Sequence, residues 1–153
     1  MFSKVRLLSF VRLSLLALLA SASLGYAQKS TFIDGSGIAA SGADVVAYFT
    51  MNKAVTGDAQ FSTQHNGATY RFSSAANLAQ FKTDPNKYAP QYGGFCAFAA
   101  AFGHKVQSDP GQFAVVDGKL YLNKDASVSA KWKADTPGFV SKADGRWAQI
   151  KDN

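Results

Sequence analysis

The sequence predicts an α+β fold: one small domain in which two β-hairpins pack against several short helices. Three observations carry this. Asn66-Gly67 and Asp117-Gly118 each stand between β-prone runs at the spacing of a two-residue hairpin turn. A capping residue opens an Ala- and Lys-containing helical stretch soon after each hairpin. The chain has 153 residues and shows neither an evident internal repeat nor a low-complexity linker, which is the length and texture of one domain.

The first residues read as a targeting segment. Lys4, Arg6 and Arg12 form a positive region, Leu13 to Leu19 an apolar one, and Gly25-Tyr26-Ala27 places small residues where a signal peptidase reads. Residues 1–27 are therefore expected to be a signal peptide, and the remainder to be periplasmic or secreted. The apolar run is short of the ~20 residues of a membrane span, so no stable span is expected after cleavage. Three of the 16 basic residues lie in this leader, which leaves 13 basic against ten acidic residues, a net charge of +3. No basic run with interleaved aromatics is present, which argues against nucleic acid. Every acidic residue is Asp, many at turn or cap positions such as Asp84-Pro85 and Asp109-Pro110.

Taken in order, residues 28–42 form a Ser/Gly-rich lead expected to be weakly ordered apart from an apolar contact at Phe32-Ile33, and the domain spans 43–153. Asp44 to Phe49 is a β-prone run. Phe61–Gln64 and Thr69–Phe72 flank the first hairpin turn, which places His65 beside it. Ser73-Ser74 cap a helix with Ala75, Leu78, Ala79 and Phe81 as inward candidates, and Asp84-Pro85 ends it. A short turn follows through Lys87-Tyr88 to Pro90. After Gly93-Gly94, the run Phe95-Cys96-Ala97-Phe98-Ala99-Ala100-Ala101-Phe102 predicts about two turns of buried helix, with Gly103 as its C-cap. Lys105–Gly111 reads as a loop. Phe113–Val116 and Lys119–Leu122 make the second hairpin, and helices begin near Asp125 and Pro137, the latter carrying Phe139, Val140, Ala143 and Trp147.

Chemistry centres on Cys96, the only cysteine, with His65 and His104 as the only histidines. One cysteine excludes an internal disulfide. A thiolate supported by imidazole suits copper or zinc, so Cys96, His65 and His104 are the candidate metal ligands. On a continuous helix Cys96 and His104 would be ~12 Å apart, which makes His65 the better partner unless the helix breaks. The alternatives are a redox-active thiol at a helix N-terminus and an inert thiol packed on an Ala/Phe face. His65 also reads as an exposed turn neighbour and His104 as a helix-end cap. Asp44 is a possible polar ligand or an ordinary strand entry. Tyr48, Tyr70, Tyr88, Tyr92 and Tyr121 with Trp132 and Trp147 would line an aromatic pocket or fill the core.

Gly42 to Phe49, Tyr70 to Ser74, and Phe81 with the run from Asp84 to Ala97 resemble an exported bacterial YHS domain protein; Asp109-Pro110, Val116 to Asn123 and Trp132 match the same group. YHS domains are small α+β modules attached to heavy-metal transporters and some oxygenases, and the resemblance implies metal binding through cysteines. Here Val45-Val46 stands where the metal-associated versions carry a Pro-Val-Cys run, and Ala75–Asn77 supplies no cysteine after Ser74. Cys96 remains as the soft ligand. The expectation is a module that binds a metal ion or a protein partner rather than catalyses, its oligomeric state open.

Overall fold

The computed structural model describes residues 31, 32 and 34–153. The expected signal peptide, and Ile33 of the expected Phe32-Ile33 contact, lie outside the described residues. Strands β1 (Asp58–His65) and β2 (Ala68–Phe72) form one antiparallel hairpin; β3 (Asp109–Val116) and β4 (Lys119–Asn123) form the other. Both turns place two residues at positive φ, Asn66 and Gly67 at 49° and 76° and Asp117 and Gly118 at 51° and 71°, the geometry that matches the twist of the flanking strands. Around them lie helices α1 (Ala47–Thr50), α2 (Ala75–Thr83), α3 (Pro85–Tyr88), α4 (Ala97–Ala100), α5 (Ala126–Ala134) and α6 (Thr136–Ile150). The α+β architecture of two hairpins and short helices is as the sequence predicts.

The helix starts follow from their caps. Ser74 Oγ accepts the Asn77 N–H, Asp84 Oδ1 that of Lys87, Asp125 Oδ1 that of Val128 and Asp135 Oδ1 that of Gly138. Of the inward candidates on α2, Phe81 is buried and Leu78 half-buried, whereas Ala75 and Ala79 face solvent.

An internal repeat is present in the structure although the residues do not announce it. β3, β4 and α5 begin 51 residues after β1, β2 and α2 and have the same lengths, eight, five and nine residues. Each half opens with a 3-10 turn, Ala40–Gly42 and Gln91–Gly94, followed by a four-residue helix, α1 or α4. Both hairpins jump register at the same place, between Asp58 and Ser62 and between Asp109 and Phe113. In each jump the Asp side chain accepts the N–H two residues on, that of Gln60 or Gly111. The halves diverge after Asp84 and Asp135: α3 stops after four residues, while α6 runs for fifteen.

Three local expectations are corrected. Asp44 to Phe49 is not a strand: the Asp44 carboxylate accepts the N–H groups of Val46 and Ala47 at 3.0 and 3.3 Å, which starts a helix that β propensity alone would not form. Upstream of Ala43, Ile38, Ala39 and Ala40 are buried and Ala39 N–H donates to Thr69 O, so small apolar residues pack here where a Ser/Gly-rich composition implied looseness. The Phe/Ala run makes one helical turn, not two. Cys96 is extended and bridges Leu122, which delays α4 to Ala97.

Two clusters form the interior. Val45, Val46, Tyr48, Tyr70, Phe72, Phe81, Leu120 and Leu122 belong to the first; Tyr92, Ala97, Ala100, Tyr121, Trp132 and Ala143 belong to the second. Strand alternation joins them, because β4 sends Leu120 and Leu122 to one cluster and Tyr121 to the other.

Candidate functional site

Cys96 precedes α4 and is 1% exposed. Its backbone N–H donates to Val106 O, and its thiol donates to Asn123 Oδ1 at 3.6 Å. The same oxygen accepts the Phe98 N–H at 3.1 Å, which fixes the amide orientation; Asn123 Nδ2 is buried without a partner among the described residues.

The histidines stand elsewhere. His65, half-buried at the end of β1, packs its ring on Tyr70 and Phe81 at 6.1 and 5.7 Å, and its Nε2 accepts from Asn66 Nδ2 at 3.1 Å. His104 is exposed beyond Gly103, its backbone N–H donating to Ala99 O at the end of α4. Gly103, at φ 80°, is the left-handed residue closing that turn. Among the described residues no group of three or more His, Cys, Asp or Glu side chains could hold a metal ion. The structure therefore does not gather Cys96, His65 and His104 into one such group.

Asp44, read in the sequence as a possible ligand, is fully buried and fully used. Besides its two bonds to α1, its Oδ2 accepts from Ser73 N, Ser73 Oγ and Asn77 Nδ2 at 2.8, 2.7 and 2.7 Å. It ties the start of α1 to the start of α2.

A groove of about 400 Å³ lies where residues of the two interior clusters meet. Its walls come from the first hairpin turn, α3, the Pro90–Gly93 segment and α6, and Thr31 enters at one side. Tyr70 contributes from the first cluster, Tyr92 and Trp147 from the second. Tyr92 sits at φ 54°, an unusual conformation for a bulky residue, between Pro90 and Gly93. That backbone sets its ring 5.9 Å from Trp147 at 66° and lets its hydroxyl donate to Asp144 Oδ1 at 2.9 Å. Burial first, then the hydrogen bond and charge of Asp144, push the Tyr92 phenol well above its ordinary pKa. Tyr70 is 3% exposed, and burial raises its phenol to about 12, so it is a neutral donor. Its hydroxyl has no hydrogen-bond partner among the described residues and is not wholly buried, and the residue lines the groove.

Of the aromatic candidates, Tyr70, Tyr92 and Trp147 line this groove, whereas Trp132 is wholly buried and Tyr48 donates its hydroxyl to Pro110 O. Sequence reasoning missed Asn66, Asn86, Gln91, Asp144 and Lys151 as lining residues. Asp144, Trp147 and Lys151, spaced by three and four positions, share one helical face, and that spacing was the available signal. No helix among the described residues is long and apolar enough to cross a membrane.

The family model described as YHS domain matches residues 46–92. No curated protein and no solved structure matches the chain. The matched stretch runs from the start of α1 to Tyr92, covering most of the first structural repeat. His65 lies inside it; Cys96 and His104 lie beyond its end.

Proposed function

We propose that this chain, which carries a YHS domain at residues 46–92, is an exported binding module that takes its ligand in the groove between Tyr70 and Trp147, with Cys96 serving the core. The observation that carries this is Tyr70, an almost wholly buried residue that lines a preformed groove and whose hydroxyl has no partner among the described residues. Export rests on the basic and apolar leader ending at Ala27.

The YHS domain is suggestive of metal binding, and copper or zinc near Cys96 is the ion the sequence favours. The donor set does not fit such an ion. The sulfur is buried, its side-chain partner is an amide oxygen, and His65 Nε2 is already engaged by Asn66. A thiol-redox role needs a sulfur within reach of a second thiol, and Cys96 is both buried and the only cysteine in the chain.

One experiment separates these readings. Melting temperatures are measured for the wild type, Cys96→Ser and Trp147→Ala against Cu(I), Zn(II) and a library of small polar metabolites. The groove reading expects a metabolite that stabilises the wild type and Cys96→Ser alike but not Trp147→Ala, and equal metal response in the first two. Stabilisation by Cu(I) or Zn(II) that disappears with Cys96→Ser would overturn it in favour of a metal centre.

A further inference from the structure

The groove carries two full charges of opposite sign, Asp144 on α6 and Lys151 at the residue that follows its end. They are seven residues apart, a rise of ~10 Å, so neither a strongly anionic nor a strongly cationic ligand is favoured over its opposite. Three of the uncharged polar side chains are the amides of Asn66, Asn86 and Gln91, each of which can both give and accept hydrogen bonds. Tyr70 adds a hydroxyl that has no partner among the described residues. A ligand edge made of hydroxyls, which likewise both donate and accept, pairs with such a set without leaving a charge unanswered.

The apolar part of the wall is small. Tyr92 and Trp147 meet edge to face at 66° and Pro90 adjoins them. Two rings so inclined leave no parallel slot for a planar aromatic ligand, but they offer a surface to a saturated ring with an apolar C–H side. From this juxtaposition of mixed amides, the Tyr70 phenol without a partner among the described residues, balanced charges and inclined rings, we infer that the ligand is a small neutral polyhydroxylated molecule, a saccharide of one or two rings. The inference rests on the groove being the binding site.

The test uses the ¹⁵N-labelled chain and its two tryptophans as internal reporter and control. Trp147 lines the groove, while Trp132 is fully buried. Glucose, N-acetylglucosamine and cellobiose are titrated, with adenosine and phenethylamine as contrasting probes. A saturable shift of the Trp147 indole N–H with at least one saccharide, the Trp132 signal unmoved, is the expected result. Tyr70→Phe removes a hydroxyl that has no partner among the described residues, so it folds, and it weakens saccharide binding roughly tenfold, the loss of one hydrogen bond. A saturable response only to adenosine or phenethylamine overturns the ligand class and leaves the groove standing. A folded protein whose Trp147 responds to none of the probes overturns both.

Discussion

The sulfur of Cys96 lies 3.6 Å from Asn123 Oδ1, and that oxygen also accepts the Phe98 N–H at 3.1 Å, so one buried amide joins the end of β4 to the start of α4. The thiol is the weaker partner in this arrangement, because S–H is a poor donor and the backbone N–H a strong one. In the first repeat Ala47, 51 residues before Phe98, has its N–H held by Asp44. Both repeats thus start their short helix on a buried polar side chain, drawn from different places in the chain.

Asn123→Ala should therefore cost more stability than Cys96→Ala. Removing the amide strands the Phe98 N–H in the interior, an expected loss of about 2 kcal/mol. Removing the sulfur leaves a small void, about 1 kcal/mol. Urea unfolding of the two variants measures the order, and native Cys96 should react with an alkylating agent only as fast as the protein opens. Rapid labelling of the folded protein would show that the thiol is not packed as described.

Asp44 accepts five hydrogen bonds, two to Oδ1 and three to Oδ2. Asp44→Ala leaves several buried donors without an acceptor and should cost upwards of about 3 kcal/mol. Asp44→Asn is the more telling variant. Its NH₂ would face Ser73 N–H and Asn77 Nδ2, donor against donor, so the isosteric change should be nearly as damaging as truncation. A mild Asp44→Asn effect in chemical denaturation would mean that charge and acceptor count are not what holds α1 to α2.

Gly57 has no room for a side chain: a Cβ there would stand 2.5 Å from the Arg71 carbonyl carbon. The corresponding position of the second repeat is Ser108, whose Oγ donates to Gly94 O at 2.6 Å. The repeats therefore predict opposite tolerances. Gly57→Ser must push β2 away and should cost more than about 2 kcal/mol, while Ser108→Ala should cost about 1 kcal/mol. Thermal unfolding of both variants reads the difference, and a neutral Gly57→Ser would contradict the close approach of the two backbones.

The parts of this fold legible in the sequence are those fixed by local chemistry. Asn-Gly and Asp-Gly impose positive φ at both turn positions, and Ser74, Asp84 and Asp125 cap helices through their own side chains. What was not legible depends on partners distant in sequence. Asp44 looked like a strand entry because Ser73 and Asn77, its acceptor's donors, lie some thirty residues away. Asn123 ends an apolar strand, and its partners Cys96 and Phe98 lie more than twenty residues away. The repeat was hidden because its halves keep turn and cap positions, such as Gly67 and Gly118 or Asp84 and Asp135, while core residues change identity, as Phe81 does to Trp132. The groove is further from sequence still, since its walls come from segments that run from Thr31 to Lys151.

Alkaline pH should unfold the protein cooperatively. Tyr48, Tyr70, Tyr92 and Tyr121 all have phenol pKa values raised, burial being the largest cause in each, and for Tyr70 the value moves from 10.0 to about 12. A raised folded-state pKa means that the unfolded chain loses the proton first. The stabilisation is therefore intact below pH about 10 and declines as pH climbs through the folded value, for Tyr70 by about 1.4 kcal/mol per pH unit between about 10 and about 12. Near-ultraviolet tyrosinate absorbance and circular dichroism should change together in that window, and Tyr70→Phe should move the midpoint upward. Gradual tyrosine titration near pH 10 with the fold retained would show that these rings are more open to solvent than their packing implies.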